Sequence, residues 1–367
     1  MFSSVKMLTP LQPTRVLMII VALFLCYIIF MDYVLYQRMQ NFSIRPVKNE
    51  KNYDTSVPCD IDPFCVVTVK GLMLDYPNLY ILSPLAAVID RILGISSTWT
   101  WITPNMISAF HVVVAALAGH CVASSSLAER RWGVLLFEFR TWLDDLDGHV
   151  ARRRKNISGE RSDIGSTGYW IDGICDALGC VALIIGVFIF LKRNPPRRGY
   201  EKLRKIYPCV ESQNTEVIYK RLRYKAMVRN TLLVIGHLMI VSTAWNRYIA
   251  LYQDLLESDD NSLAISTDEL YNRQSKVMRS GFFWVVTTLW RLINFHTAID
   301  YLLIAIFIDR LWEYMRFVRW MGYIIPLVVV YLTEFHFLES YAYVLKGSFG
   351  FVSKSSDFAV HNITNGN

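Results

Sequence analysis

The sequence predicts an all-α, polytopic membrane protein with about seven transmembrane helices, one N-terminal span followed by a six-helix core. The chain has 367 residues, of which 53% are hydrophobic, and its mean hydropathy is positive. Such a composition indicates a membrane protein rather than a soluble one. The apolar residues are grouped in stretches near the length of about 20 residues that crosses a bilayer. No internal repeat and no sizeable soluble domain is visible in the sequence.

Seven stretches are predicted to span the membrane: residues 16–36, 105–123, 131–151, 166–191, 229–251, 281–307 and 320–343. The first is too long, and too poor in small residues at its end, for a cleaved signal peptide, so a signal anchor is favoured. The third is interrupted by Glu138, Arg140 and several aspartates. Residues 78–95 are predicted to form an amphipathic helix at the membrane interface, broken at Pro84. A packed core helix is the alternative for that segment.

Basic residues determine the predicted orientation. Residues 192–225 carry eleven Lys and Arg against three Glu, whereas residues 252–280 carry six acids against three bases. The positive-inside rule therefore places the first connection and the N-terminus in the cytosol. The predicted organisation is a cytosolic N-terminus (1–15), a transmembrane anchor (16–36), a luminal segment with an interfacial helix (37–104), a six-helix core (105–345) and a luminal tail (346–367).

Two independent features agree with this orientation. The three Asn-x-Ser/Thr sequons, at Asn41, Asn156 and Asn362, all lie on the predicted luminal side, which indicates a glycoprotein. Cys59 and Cys65 lie on the same side, where an oxidising lumen would permit a disulfide.

The chain is organised around an acidic motif at the junction of the third and fourth predicted spans. Its fixed positions are Asp144, Asp147, Gly148, Ala151 and Arg152, then Gly168, Asp172 and Asp176. On a helix, the first four positions share one face, and the last three share another. Acidic groups near a membrane are costly, so they are usually paired, metal-bound or functional. If the two helices face each other, divalent cations would relieve the repulsion among four carboxylates, and oxygen ligands favour Mg²⁺ or Mn²⁺.

This pattern resembles the signature of the CDP-alcohol phosphotransferase family, Asp-x2-Asp-Gly-x2-Ala-Arg…Gly-x3-Asp-x3-Asp, at all eight fixed positions. One departure is the connection 153–167, whose fifteen residues exceed the family's usual length. The alternative interpretation is a charged helix hairpin at a membrane surface. The resemblance implies transfer of a phospho-alcohol from a CDP-linked donor to a hydroxyl group, with release of CMP.

The resemblance also implies the roles of the site residues. The metal ligands of a two-metal Mn²⁺ or Mg²⁺ centre would be Asp144, Asp147, Asp172 and Asp176. Asp176 also matches the family's proposed general base for the acceptor hydroxyl. The cytidine diphosphate part would be held by Gly148, Ala151, Arg152 and Gly168, with Arg152 as the phosphate clamp. Asn105 follows Thr103 and Pro104 at a helix start, so it is predicted either to line the nucleotide site or to serve only in capping.

Within the family, a luminal site and an extra N-terminal span are similar to the insect-type members that transfer phosphoethanolamine from CDP-ethanolamine to ceramide in the Golgi membrane. One alternative is a choline/ethanolamine phosphotransferase that uses diacylglycerol in the endoplasmic reticulum membrane. An alternative of another class is a cation-coupled transporter, which broken helices and inverted repeats would favour. The expected partners are CDP-ethanolamine, ceramide and membrane lipids, with a homodimer implied by resemblance; no nucleic-acid partner is predicted.

Two further groups of polar residues are candidates for ligand contacts. Arg153, Arg154 and Lys155 extend the motif arginine into a basic run, which is predicted either to bind a pyrophosphate or anionic headgroup or to be a solvated loop. Polar residues in the later spans are predicted to line the path of the acceptor lipid: Asn246, Arg247, Arg291, Asn294, His296, Glu334, His336 and Glu339.

Overall fold

The computed structural model describes residues 13–42, 59, 61–157, 165–194, 213–258 and 266–346. These ranges contain helices, turns and no strand, which confirms the predicted all-α class. The helices are α1 (Pro13–Asn41), α2 (Val69–Met73), α3 (Ser83–Leu93), α4 (Pro104–Val122), α5 (Leu127–Lys155), α6 (Thr167–Arg193), α7 (Gln213–Leu256), α8 (Thr267–Met278), α9 (Gly281–Ile293), α10 (Phe295–Phe307), α11 (Leu311–Trp320) and α12 (Ile324–Lys346). The predicted luminal tail beyond residue 346, with its sequon at Asn362, lies outside the described residues.

The chain divides into two compact units, residues 1–42 and residues 43–367. The described part of the first unit is α1, a helix of 29 residues. Most of its large apolar side chains are exposed, as in a helix whose surroundings are lipid rather than protein. This helix agrees with the predicted anchor and continues beyond it to Asn41.

Six described helical segments are long and apolar enough to cross a membrane: Met18–Asn41, Pro104–Val122, Thr167–Arg193, Tyr224–Leu256, Gly281–Phe307 and Ile324–Lys346. The seventh predicted span, residues 131–151, lies within α5, a continuous helix of 29 residues. Its charged residues lower its hydropathy, so it is not among the six segments that are apolar enough to cross a membrane. The predicted 192–228 connection is already helical from Gln213 onward.

The predicted span at residues 281–307 is interrupted, which the sequence interpretation did not anticipate. At Asn294 the backbone turns to φ −59° and ψ 174°, and the side chain caps α10 by accepting from Thr297 N at 2.9 Å. The Asn294 amide also donates to Met73 O at 3.1 Å, and Arg291 Nε donates to Leu72 O at 2.7 Å. Residues at the interruption therefore donate hydrogen bonds to two carbonyl groups at the C-terminus of α2. Trp245 Nε1 also donates to Met73 O, at 3.1 Å.

Helices α4, α5 and α6 form the tightest packing in the core. A Cβ added at Gly119 would lie 2.4 Å from Ala182 O, and one added at Gly186 would lie 2.2 Å from Gly119 O. The backbones of α4 and α6 can approach this closely only because these positions carry no side chain. Buried aliphatic residues continue the packing from α4 and α5 toward α10 and α11.

The ends of the helices meet as the predicted alternation of sides requires. At the end assigned to the cytosol, Arg130 Nη2 lies 2.5 Å from Asp309 Oδ1. At the same end, Arg193 Nη1 donates to Ala123 O at 3.2 Å. Three segments predicted to lie on one side of the membrane, the turn near residues 124–130 and the connections 192–228 and 308–319, are thus in contact within the second unit.

Helix α3 covers the opposite end of α5. Pro84 lies in its first turn, where proline is tolerated, and the helix follows directly on a π-helical turn, Asn78–Leu82. The prediction of a break at Pro84 is therefore wrong, because the residue initiates α3 instead. One face of α3 is buried, including Ala86 and Ala87, whereas Ile92 on another face is exposed. The predicted amphipathic character is present.

Candidate active site and metal centre

Both halves of the acidic motif lie on continuous helices. The first half occupies the C-terminal part of α5. The second begins at the N-terminus of α6, where Ser166 Oγ accepts from Tyr169 N at 3.2 Å and caps the helix. Helical spacing therefore directs each half of the motif along one face, as the sequence pattern predicts.

Four side chains from three helices converge on one point. His111 on α4, Asp144 on α5, and Asp172 and Asp176 on α6 each offer one metal-ligating atom, and these atoms lie within 4.8 Å of one another. Three of the four predicted ligands are thus brought together, and they come from both motif helices.

The fourth predicted ligand, Asp147, lies at the margin of this group. Its Oδ2 accepts a hydrogen bond from Ser108 Oγ at 2.6 Å and lies 4.0 Å from His111 Nε2. Asp147 is almost fully buried. Because one of its oxygens is engaged by α4, its part in metal binding stays a prediction.

His111 is the one member of the convergent group that the sequence interpretation missed. It is fully buried, and its Nε2 lies 3.7 Å from Asp144 Oδ1. The available signal was a histidine inside an otherwise apolar span, at the helical spacing i, i+3 from Ser108. No pattern in the sequence linked that histidine to the aspartates more than thirty residues later.

Arg140 supplies a buried positive charge next to the acids. Its Nη2 pairs with Asp176 Oδ1. A Cβ added at Gly179 would lie 3.0 Å from Arg140 Nε, so the glycine on α6 makes room for the guanidinium group. The partner of Arg140 is the residue predicted to act as the general base.

The residues predicted to hold the nucleotide lie toward the C-terminus of α5 and at the N-termini of α4 and α6. A Cβ added at Gly148 would lie 3.0 Å from Arg152 Nη1, so the guanidinium folds back over the glycine. Asn105 Oδ1 lies 3.8 Å from the position of a Cβ on Gly168. The capping group of α4 is Thr103, whose Oγ1 accepts from Met106 N at 3.3 Å. Asn105 is therefore positioned beside the motif glycine, and Ala151 lies half-buried on α5.

Two residues of the basic run after the motif, Arg153 and Arg154, make structural contacts with neighbouring segments. Arg153 and Arg154 belong to the last turn of α5 rather than to a loop. Arg153 Nη1 donates to Asp90 Oδ2 at 3.1 Å, and Arg154 Nη2 donates to Ile95 O at 3.0 Å. These contacts fix α5 to α3 and to the turn that follows α3.

Asp90 is the acidic partner in this contact. Burial alone would raise the pKa of its carboxyl group. Hydrogen bonds from the hydroxyl and backbone N–H of Ser96, with the charges of His149 and Arg153, hold that pKa below its ordinary value instead. Asp90 is thus ionised at neutral pH.

Most of the polar residues in the later spans have structural partners. Arg291 and Asn294 hold the C-terminus of α2, as described above. His336 Nδ1 lies 2.6 Å from the hydroxyl of Tyr252, and Glu334 accepts from Tyr248. The ring of His296 packs edge-on against Trp245, with the ring centroids 5.5 Å apart.

Comparisons with known proteins agree with the resemblance seen in the motif. The family described as ceramide phosphoethanolamine synthase matches residues 7–347. A curated Drosophila melanogaster protein named ceramide phosphoethanolamine synthase is 49% identical over 298 residues, which cover 80% of this chain and 74% of the relative. No solved structure matches the chain.

Proposed function

The chain belongs to the ceramide phosphoethanolamine synthase family, and we propose that it transfers phosphoethanolamine from CDP-ethanolamine to the primary hydroxyl of ceramide. Family membership makes the chain a transferase of the CDP-alcohol phosphotransferase type. The observation that carries the reaction type is the convergence of the motif aspartates from α5 and α6 beside the nucleotide-side residues Gly148, Arg152, Gly168 and Asn105. The choice of donor and acceptor rests on the name of the family and of the Drosophila relative.

The acids fit a divalent cation. Asp144 Oδ1 and Asp172 Oδ1 are buried, and no hydrogen-bond partner reaches either atom within the described parts of the chain. Unsatisfied buried carboxylate oxygens are costly, and a cation would satisfy them. Mn²⁺ or Mg²⁺ would be held by Asp144, Asp172 and Asp176, with Asp147 as the fourth acid of a two-metal site. When bound, the metal would neutralise the pyrophosphate and the charge of the leaving CMP.

The remaining steps fall to the chain's own residues. Arg152 would hold the diphosphate, and the small residues Gly148 and Ala151 leave room for it beside the acids. The acceptor oxygen attacks the phosphorus that carries ethanolamine, the bond from that phosphorus to the CMP oxygen breaks, and the hydroxyl proton passes to Asp176. Arg140 pairs with Asp176 and would orient that carboxyl group toward the acceptor hydroxyl.

We also infer that the site opens toward the lumen of the Golgi. Cys59 and Cys65 form a disulfide in the segment before α2, and disulfides persist in oxidising compartments. Asn156, a sequon residue, is exposed at the end of α5 just beyond the motif. Both features fall on the predicted luminal side, to which the sequence also assigns the motif. Binding of membrane lipids and formation of a homodimer are further parts of the proposal.

The decisive experiment supplies purified protein with CDP-ethanolamine and either ceramide or diacylglycerol, with Mn²⁺ or Mg²⁺ present. We expect ceramide phosphoethanolamine and CMP in equal amounts. Exclusive use of diacylglycerol would falsify the acceptor assignment in favour of a choline/ethanolamine phosphotransferase. Absence of CMP release, together with cation-dependent transport in vesicles, would favour the transporter alternative.

Substitution of the acids tests the site itself. Asp144→Asn and Asp172→Asn should each lower the transfer rate by more than about 100-fold, because outer-shell partners alone are worth about 10- to 100-fold in metal sites. The matched control is Asp254→Asn, an exposed acid on α7, which should keep the rate. Equal activity in all three variants would remove the cluster from the mechanism.

A further inference from the structure

We propose that His111 is a direct ligand of the metal centre, contributing an imidazole nitrogen to a site that the motif alone describes as all-oxygen. This inference rests on the proposed function, since it assumes that the aspartates hold a divalent cation. It adds a third helix, α4, to the two helices that carry the motif.

The first argument is the burial of His111 without partners. Its side chain is completely buried, and neither Nδ1 nor Nε2 has a hydrogen-bond partner within the described residues. Leaving a buried polar group unsatisfied costs about 1–3 kcal/mol. A histidine that served only to fill space could be replaced by an apolar residue without that cost. The position therefore requires an interaction partner that occupies the space between His111 and the acids.

The second argument is the direction of the ring. Nε2 points at the carboxylates, 3.7 Å from Asp144 Oδ1 and 4.0 Å from Asp147 Oδ2. These distances exceed a hydrogen bond, so an imidazolium in direct contact with either acid does not account for the geometry. They suit two ligands of one ion instead, because opposite ligands of an octahedral Mg²⁺ lie about 4.2 Å apart and adjacent ones about 3 Å apart. The four ligating atoms span at most 4.8 Å, so a small closure on metal binding brings them into range.

The third argument is charge. Arg140 already pairs with Asp176 beside the cluster, so a second cation at His111 is not needed to hold that acid. A neutral imidazole adds a ligand without adding charge. It also makes the donor set a mixture of nitrogen and oxygen. Such a set prefers first-row transition ions such as Mn²⁺ over Mg²⁺ more strongly than an all-oxygen set does.

The test uses Mn²⁺ as a spectroscopic probe on the full-length purified protein. Pulsed electron paramagnetic resonance of bound Mn²⁺ detects the coupling of a directly bound nitrogen. We expect ¹⁴N coupling in the wild type, and its replacement by ¹⁵N coupling in protein labelled at histidine. His111→Gln should abolish the coupling and weaken Mn²⁺ binding by at least about 10-fold, the loss that outer-shell partners already cause. Mg²⁺ affinity should fall less.

Two variants serve as matched controls. His120→Gln changes an exposed histidine on the same helix, and His296→Gln changes an imidazole on α10 that is not one of the four converging side chains. Both should retain the nitrogen coupling. Bound Mn²⁺ without nitrogen coupling in the wild type would overturn the inference even if His111→Gln fails to fold, and so would coupling that survives in His111→Gln. A wild-type protein that binds no Mn²⁺ or Mg²⁺ would contradict the metal centre of the proposed function instead, so the two failures are distinguishable.

Discussion

Arg140 on α5 and Asp176 on α6 form an ion pair between the two motif helices, and the arginine is almost fully buried. Arg140 precedes Asp144 by one helical turn on α5, and Asp176 follows Asp172 by one turn on α6. The guanidinium thus offsets part of the repulsion that three convergent carboxylates produce before a metal binds. Removing one partner of such a pair leaves a buried charge uncompensated.

Arg140→Gln should therefore lower the free energy of unfolding of the metal-free protein by about 3–5 kcal/mol. Added Mn²⁺ should restore part of this loss, because the cation supplies positive charge to the same acids. Arg140→Lys, which retains a charge, should lose less. Thermal unfolding in detergent with and without Mn²⁺ measures all three. A loss that Mn²⁺ does not reduce would show that Arg140 acts through packing alone.

At the residue scale, the sequence predicted the convergence of three aspartates but not the histidine beside them. The aspartates follow a fixed spacing on two adjacent helices, so their common faces can be derived from helical geometry. His111 reaches them only through the packing of α4 against α5, which is a tertiary contact. Similarly, the sequence does not reveal the partners of Arg153 and Arg154, because these partners lie more than fifty residues earlier, in α3 and in the turn that follows it.

At the element scale, the site depends on the close approach of α4 and α6. Gly119 and Gly186 allow this approach, and the same two helices carry His111 and Asp172. A side chain added at the contact would push the helices apart and separate the ligands.

Gly119→Ala should cost about 1–3 kcal/mol of stability, as overpacking does, and should weaken metal binding in parallel. The control is Gly173→Ala on α6, where an added Cβ meets nothing within 4 Å. This control should be neutral or slightly stabilising, because alanine favours helices over glycine. Thermal unfolding and Mn²⁺ titration provide the readouts. Equal behaviour of the two variants would contradict the role of the close contact.

The tie between α3 and α5 gives a pH-dependent contribution to stability. Because the folded-state pKa of Asp90 is lowered, its contribution is complete above the unfolded-state pKa of about 3.9 and disappears as pH falls through the folded value. Asp90→Asn should thus destabilise the protein by about 2 kcal/mol at neutral pH, the worth of hydrogen bonds to a charged group.

Unfolding of wild type and Asp90→Asn across pH checks this expectation. The difference in Tm should be constant between pH 6 and pH 8 and should shrink below about pH 4. Ser97→Ala, in the same turn, is the matched control and should show no such dependence. A difference that grows at low pH would contradict the assigned sign.

Hydropathy found the spans at this scale but missed the interruption at Asn294. An apolar run of sufficient length predicts a helix, and one asparagine in it is weak evidence for a break. The partner of the break, the C-terminus of α2, lies more than two hundred residues earlier, so no local pattern could identify it. The misassigned Pro84 has a simpler cause, since proline can end one helix or begin another.

At the scale of the whole molecule, the proposed luminal site depends on the predicted orientation of the spans, which labelling from outside a sealed vesicle tests. In sealed Golgi vesicles, a membrane-impermeant maleimide added outside should label Cys209, which lies in the predicted cytosolic connection. Asn156→Gln should remove a glycan that an endoglycosidase otherwise cleaves only after the vesicles are opened. Cys209→Ser gives the labelling control. Protection of Cys209 in sealed vesicles would reverse the orientation.

The clamp of Arg153 and Arg154 onto α3 has a consequence for the unusually long connection between the two halves of the motif. The last turn of α5 is held by its contacts with α3, and Ser166 caps the start of α6. The connection between them therefore begins and ends at fixed positions. Their number can change without rotating either helix. Insertions in this connection should therefore leave the relative positions of the motif aspartates unchanged, and a tag placed there should leave lipid synthesis intact.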